Sequence, residues 1–499
     1  MSTPPSPADA RHDVTVVLVT HDGERWLPQV LPAVIGQTRP GDRLVVADTG
    51  STDGTLGVLA QFVPAGDVIS LPRDTGYGAA VKAAIAHADA TAPPADHSDE
   101  PVRRWIWLLH DDSEPEPDAL AHLVIAVYAD PGVAVAGTKV RGWYRRRMLL
   151  EVGVTIDGGG RREEHLERGE QDQGQHDHRR ETLAVSSAGM LIRRDVWDAL
   201  GGFDEHLPLM RDDIDFCWRT WLAGHRVAVV PEAVVYHAEA SAQSRREVHI
   251  GSGRVHLLDR AGAMRVLLAN LPTRRFALAV PRLLIGGLLR AIGYLVAKFP
   301  RHAADEVLAI GSVLMQPQAI RQMRRDHRAD HRVAPESLRR LFPAFGHQFA
   351  LARDALASFA GGRQSDGTAI GSHRVVESGP GGEEMENLDL GAGGVLMRRV
   401  LRSPGWLLVL GLLALTLLAG RELLGGGRLL GGALLPAPGG ASDLWSAYTG
   451  SWHPDAVGTS AAAPPYLGVV AFVATLLGGH ADLAVTVLLL GCVPLAGAI

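Results

Sequence analysis

Cysteine is almost missing from this chain of 499 residues. Only Cys217 and Cys492 are present, which excludes a disulfide framework and makes a reducing compartment the expectation for the N-terminal part. An excess of positive charge is missing too. Lys and Arg number 49 against 55 Asp and Glu, a net charge of -6, so no overall basic field points to nucleic acid as a partner. No apolar leader opens the chain. Its first residues, MSTPPSPADARHD, are polar and proline-rich and lack a signal-peptide core. The N-terminal part is therefore expected to stay in the cytosol.

What is present is uneven. Residues 1–260 read as soluble α/β. Short apolar runs at 14–19, 43–48, 68–71 and 105–109 alternate with helical patterns at 26–37, 55–62, 76–87 and 117–128. That alternation predicts βαβ units and a mostly parallel sheet. Further strands are expected at 133–140, 149–156 and 226–230, and a mobile polar loop at 161–180. His165, His176 and His178 in that loop lack strong metal-ligand spacing.

Two acidic clusters stand out in this half. Asp111 and Asp112 end the run WIWLLHDDSEP, and Asp212, Asp213 and Asp215 open RDDIDFCWR. Ligands on parallel sheets bind at the carboxyl ends of the strands, where Asp22, Asp48 and Asp111–Asp112 all fall. Paired carboxylates there suit a divalent cation carrying phosphates. A carboxylate elsewhere in the same cleft can serve as a general base. Asp48 and Asp53 also fit turn and cap residues, and Asp215 and Trp218 also fit structural positions. His237 also fits a plain strand-end histidine.

Beyond residue 260 the chain changes character. Residues 276–299 are apolar but carry Arg282, Arg290, Lys298 and Pro281, a pattern for a helix lying in the membrane interface. Residues 317–340 are strongly basic, suited to anionic headgroups. Residues 361–394 read as a Gly/Ser/Glu-rich linker. Arg398, Arg399 and Arg402 precede an uncharged apolar run at 406–420. It is short against the roughly 20 residues a span needs, and its basic flank places that side in the cytosol. Runs at 466–479 and 483–499 suggest one or two further spans, and a chain that stops within such a run is expected to be the front part of a longer protein.

Four segments in order carry a family resemblance: VTVVLVTHDGERWLPQVLPAV, LVVADTGSTDGT, WLLHDDSEP, and AGMLIRRDVWDALGGFDEHLPLMRDDIDFCWRTWLAGHRVAVVPEAVVYH. Over residues 13–240 the chain resembles the family 2 glycosyltransferases, inverting enzymes of the GT-A fold. The resemblance implies an α/β domain with a Rossmann-like, mostly parallel sheet flanked by helices. It implies nucleotide contacts at Thr20, His21, Glu24, Asp48 and Asp53. It makes Asp112 the last acid of a metal-binding Asp-x-Asp motif whose first position is His110, with Asp111 as a substitute ligand and His237 completing the site for Mg²⁺ or Mn²⁺. It makes Asp213 the base, with Asp212 in the place of a glutamate. Asp215 and Trp218 are acceptor-side candidates.

The expected organisation is a disordered stretch at 1–12, a GT-A domain at 13–255, a helical basic membrane-interface region at 256–358, a linker at 359–396 and transmembrane helices at 397–499. The expected function is transfer of a sugar from a nucleotide-diphosphate donor (UDP- or dTDP-linked) to a lipid-linked or cell-envelope glycan acceptor, in a multi-pass cell-membrane protein with its catalytic domain on the cytosolic side. A non-catalytic sugar-nucleotide or glycan-binding membrane module is the alternative. A nucleotidyltransferase would carry a Gly-rich basic loop after the first strand, which THDGE is not.

Overall fold

The computed structural model describes residues 12–92, 103–343, 404–419, 421, 439–450 and 463–498, apart from 165, 168, 242–244, 252 and 297–298. Most of the expected disordered stretch and all of the expected linker lie outside the described residues; His12 already belongs to the first strand. The chain divides into two compact units, the first centred on residues 12–343 and the second on 404–498.

The first unit is built on one sheet. Strands β1 (His12–Thr20), β2 (Arg43–Asp48), β3 (Val68–Ser70) and β4 (Arg103–His110) run parallel in the order β3-β2-β1-β4. Helices α1 (Leu27–Ile35), α2 (Thr55–Phe62) and α3 (Tyr77–Ala90) connect them, as the sequence alternation predicts. The sheet continues through β6 (Val133–Gly142) and β12 (Arg226–His237), which are parallel to each other. Short β5 (Ser113–Pro115) pairs with β12, and α4 (Ala119–Ala129) leads into β6. Between β6 and β12 the chain forms β7 (Leu149–Glu151), β8 (Thr155–Ile156), β9 (Arg162–Glu163), β10 (Arg180–Glu181) and β11 (Met190–Arg193), with α5 (Arg194–Ala199) following β11.

Strand β11 inserts antiparallel between β4 and β6. The sequence reading left it out, because residues 186–192 are too small and short to show a period. The strand expected at 149–156 is two pieces, interrupted near Gly153 at φ +76°. Strand β12 runs on through Pro231 because a register shift between Val230 and Val234 releases the ladder there, the kind of place a strand tolerates proline.

Side-chain alternation divides the core. Val17, Val19, Ile106 and Leu108 face one layer, with Phe216 and Cys217 of α6 (Asp212–Leu222) and Met264 and Leu267 of α7 (Val255–Asn270). Val16, Leu18, Trp105, Trp107 and Leu109 face the other, with Leu27, Leu31, Leu120 and Leu123. Each fully buried aliphatic side chain contributes about 1.5–3 kcal/mol. The sheet is therefore held from both faces, and its carboxyl edge is a fixed platform.

After α7 come α8 (Thr273–Val296), α9 (Pro300–Leu314) and α10 (Pro317–Ala329). Leu278, Ile285, Leu288, Leu289, Ile292 and Leu295 form a stripe on α8 that is 49–73% exposed. By length and composition Thr273–Leu295 is the one unbroken helix among the described residues that could cross a bilayer. The second unit holds α11 (Pro404–Ala419), α12 (Ala441–Thr449), α13 (Pro465–Leu476) and α14 (Ala481–Ala498). These do not support the expected multi-pass arrangement. The run at 406–420 is a 16-residue helix, and Tyr466–Leu476 and Ala481–Leu488 meet at 114°. Gly478 and Gly479, at φ +71° and +94°, break the helix there.

Candidate active site

The ends of β1, β2 and β4 meet in one place. Thr20 donates to Asp48 Oδ1 at 3.0 Å, and Ser51 donates to the same carboxylate through Oγ at 2.5 Å and its amide at 3.1 Å. Asp48 is thus fixed within its own turn. Asp53 accepts the amide and hydroxyl of Thr55 at 3.0 and 2.5 Å, and the amide of Glu24 at 3.1 Å. Glu24 in return accepts the Gly54 amide at 2.9 Å. The Thr20–Glu24 and Asp48–Asp53 loops are therefore laced together. Asp22 sits at φ +48° and is held by Arg73 and the Thr52 amide. Arg73 holds its carboxyl well below the usual range. His21 places Nδ1 2.9 Å from Thr49 Oγ1 and Nε2 3.3 Å from His249.

Asp111 and Asp112 part company. Asp111 accepts the two terminal nitrogens of Arg246 at 2.8 Å each and the His21 amide at 2.8 Å. Gly23 leaves room for this: a Cβ there would stand 2.5 Å from Asp111 Oδ2. Asp112 turns toward β12, with Oδ1 3.2 Å from His237 Nε2 and Oδ2 accepting the Ala240 amide at 2.8 Å. Burial pushes the Asp112 carboxyl up, but the charges of His237 and Arg246 outweigh it and hold it well below the usual range. Burial and the nearby His237 charge push His110 down to about 3, so its imidazole is neutral. The His110 and His237 rings lie 5.2 Å apart, and Ser187 Oγ is 3.0 Å from His110 Nε2.

The expected cation ligands were Asp112, Asp111 and His237. The group whose ligand atoms all lie within 4.8 Å of one another is His110, Asp112 and His237. This donor set of two imidazoles and one carboxylate fits a divalent ion.

Helix α6 begins abruptly. Met210 and Arg211 both have φ +65°, a conformation that costs non-glycine residues about 1–3 kcal/mol and collects at functional sites. Arg211 is anchored by Asp259 of α7, with Nη2 2.8 Å from Oδ2, and by the Gly160 carbonyl at 3.1 Å. This turn puts Asp212 and Asp213 in the first turn of α6. Asp213 Oδ2 accepts from Arg162 Nη1 at 3.3 Å, and Arg162 also pairs with Glu151. Asp212 Oδ1 takes the Asp213 amide at 3.1 Å, while among the described residues nothing donates to its buried Oδ2. Burial and the neighbouring Asp213 charge push the Asp212 carboxyl up to about 8. The resemblance makes Asp213 the base, but the open carboxylate belongs to Asp212.

Tyr77, at the start of α3, links the two groups. Its ring is 4.8 Å from that of His110, and its hydroxyl feels the charges of Asp212, Asp213 and Asp112.

The acceptor-side candidates lie elsewhere. Asp215 is fully buried, with Arg219 Nε at 2.7 Å and Asn270 Nδ2 at 2.7 Å. Through His327 of α10, 3.2 Å from Asn270 and 3.0 Å from Asp204, this network ties α6 to α7 and α10. Asp204, Asp215 and His327 are also close enough to converge on a cation, but Asp215 is already paired with Arg219 and Asn270. Trp218 packs against Phe342, with ring centroids 5.0 Å apart.

Sequence reasoning missed Arg162 and Arg246, distant in sequence from the acids Asp213 and Asp111 that they touch, and Tyr77 and Ser187, distant from the His110 ring that they touch. The loop at 161–180 is less free than expected. Asp172 and Asp177 pair with the buried Lys139, and His176 pairs with Glu170 at 2.9 Å.

A mixed sheet with acids and imidazoles gathered at its strand ends has the architecture of the GT-A class. Residues 11–248 match the family model described as "Glycosyltransferase like family 2", and the domain they form belongs to that family. The chain is 28% identical over 245 residues to the uncharacterized protein y4gI of Sinorhizobium fredii, covering 47% of this chain and only 25% of that protein. It is 27% identical over 248 residues to the N-acetylglucosaminyl-diphospho-decaprenol L-rhamnosyltransferase of Mycobacterium tuberculosis, covering 46% of this chain and 77% of that one. It is 24% identical over 240 residues to the O-antigen chain rhamnosyltransferase RfbN of Salmonella typhimurium, covering 45% and 66%.

Proposed function

We propose that the domain transfers a deoxyhexose or hexose from a nucleotide-diphosphate donor to a lipid-linked glycan, with inversion, at the cytosolic face of the membrane. The carrying observation is that an open, buried carboxylate and a cation-ligand group meet around one tyrosine. A sugar hydroxyl attacks only as a carboxylate takes its proton, and among the described residues no hydrogen bond reaches Oδ2 of Asp212. Inversion needs one such base and no covalent sugar–enzyme intermediate, unlike double-displacement glycoside hydrolysis. His110, Asp112 and His237 would hold Mg²⁺ or Mn²⁺, which neutralises diphosphate charge when bound. The Thr20–Glu24 and Asp48–Asp53 loops are the nucleotide side of the cleft.

Two relatives are named as rhamnosyltransferases, and one of those names includes a polyprenyl diphosphate. A dTDP-linked rhamnose is therefore the first donor to test, beside UDP-linked sugars. Purified protein with Mn²⁺ and a membrane lipid extract is expected to release nucleoside diphosphate from one donor of the panel. Nucleotide binding without release from any donor would return the chain to the binding-module reading.

The uncovered stripe of α8 supports the membrane placement. Ile285→Glu with Leu288→Glu is expected to abolish co-flotation of the protein with anionic vesicles while leaving its melting temperature within a few degrees. Unchanged flotation would move the attachment to another part of the chain.

A further inference from the structure

We propose that the loop after β6 holds the diphosphate of a lipid-linked acceptor, in a groove walled by Arg145, Arg146 and Arg147 on one side and by Gly169 and Gln171 on the other. The identity of the ligand rests on the transferase reading above; the groove and its charge stand on geometry.

Residues 141–147, RGWYRRR, hold four arginines in a chain whose net charge is -6. Arg141 is taken by Asp172. Arg146 is half used. One of its terminal nitrogens meets Glu114 Oε2 at 2.5 Å, and its guanidinium lies 4.0 Å from the centroid of the Tyr236 ring. Arg145 and Arg147 are exposed, and among the described residues no carboxylate pairs with either. Adjacent guanidinium groups repel one another until an anion compensates them.

Both walls of the groove are fixed. The amides of Gly142 and Trp143 donate to the carbonyls of Met148 and His237 at 2.9 and 3.0 Å, and the Met148 amide donates to the Arg145 carbonyl at 2.8 Å. Facing this turn, Gln171 forms an antiparallel bridge with Met148. The Leu149 amide donates to the Glu170 carbonyl at 2.8 Å, and the Asp172 amide to the Arg147 carbonyl at 2.7 Å. Asp172 is held in turn by the buried Lys139 at 3.0 Å. The space between the walls is about 330 Å³ and is lined by Arg145, Arg146, Arg147, Met148, Gly169 and Gln171, a size in the range of small-molecule sites.

Its place on the sheet selects the ligand. The nucleotide loops follow β1 and β2, whereas the arginine loop follows β6, with β11 and β4 between β6 and β1. The donor's diphosphate belongs with the cation-ligand group, not here. The arginine loop leads directly into β7, whose last residue, Glu151, shares Arg162 with Asp213. Met148 and Glu151 are three residues apart, at most about 11 Å of extended chain. An acceptor sugar whose hydroxyl meets the acid pair carries its diphosphate at the other end of the ring, within reach of these arginines. The guanidinium fork matches phosphate oxygens two at a time, and three forks suit a group with two phosphates.

The test is flotation of the full chain, without added divalent ion, on phosphatidylcholine vesicles carrying either a polyprenyl diphosphate or phosphatidylglycerol at matched surface charge. Wild type is expected to bind the polyprenyl diphosphate vesicles more tightly. Arg145→Glu with Arg147→Glu changes two exposed side chains, so circular dichroism should be unchanged. It should weaken binding to the diphosphate vesicles by about tenfold or more, as lost hydrogen bonds between charged groups do, and leave binding to phosphatidylglycerol within about twofold. In turnover the same variant should raise KM for a lipid-linked acceptor and leave KM for the donor unchanged. Equal binding of wild type and variant to diphosphate vesicles overturns the site. So does an equal loss on phosphatidylglycerol, which would make the loop a general contact for anionic lipid. Selective loss of diphosphate binding in a protein that releases nucleotide from no donor would sink the transferase reading alone. Nucleotide release with acceptor KM and vesicle binding both unmoved in the variant would sink the anion site alone.

Discussion

Asp212→Asn is expected to lower kcat by about 10²–10⁴-fold, the range that a positioned proton acceptor supplies. Asparagine keeps the shape and the bond from the Asp213 amide, so the loss reports proton transfer and not misfolding. The pH dependence has a defined sign. With its carboxyl pushed up to about 8, Asp212 is protonated at low pH and cannot accept a proton. In the wild type kcat/KM should rise with pH through an inflection near 8. Asp213→Asn removes the neighbouring charge that, after burial, most raises Asp212, so the inflection should move to lower pH. Stability follows by linkage. The folded state holds the Asp212 proton above the ordinary carboxylate value of 3.8, so wild-type stability falls as pH rises from about 4 to about 8 on this account. The melting-temperature gain of Asp212→Asn over wild type should grow across that window. Full activity in Asp212→Asn together with loss in Asp213→Asn would hand the base role to Asp213.

The two aspartates differ because their surroundings differ. Asp213 shares Arg162 with Glu151, which keeps its charge compensated. Asp212 has no such partner on Oδ2 among the described residues. The first turn of a helix favours negative charge there by about 0.3–1 kcal/mol. Burial beside Asp213 wins over that.

How much of this was legible in the sequence follows from the range of each interaction. Strands β1, β2 and β4 could be read because buried parallel strands are unbroken apolar runs, and their ends at Thr20, Asp48 and His110 are abrupt. The first turn of α6 could be read because three aspartates precede its apolar face. Strand β11 could not, since four residues show no period and their pairing with β4 is tertiary. Neither could the division of labour between Asp111 and Asp112. It depends on Arg246, 135 residues beyond Asp111, folding back onto one neighbour and not the other. The role of Arg162 depends likewise on a contact across 51 residues. The break between the runs at 466–479 and 483–499 was legible, but the 114° bend there was not, since it depends on the backbone conformation of Gly478 and Gly479.

Asp112→Asn and Asp111→Asn should fail in opposite ways, although the residues are adjacent and chemically the same. Asp112 contributes an oxygen to the group with His110 and His237. Its replacement removes a ligand charge, and the cost in metal affinity should exceed the roughly 10–100-fold that loss of an outer-shell partner brings. Nucleotide release should fall with it, while the fold persists, since asparagine can still accept the Ala240 amide. Asp111 instead compensates Arg246 and anchors the His21 amide. Asparagine there loses the charge of a buried bidentate pair, a cost of about 1.5–3 kcal/mol, which urea denaturation should register as a lower midpoint. Mn²⁺ affinity of the Asp111→Asn protein, measured where it remains folded, should stay within a few-fold of wild type. Metal loss in Asp111→Asn with retention in Asp112→Asn would reverse the assignment and return the cation to the two-acid arrangement that the sequence suggested.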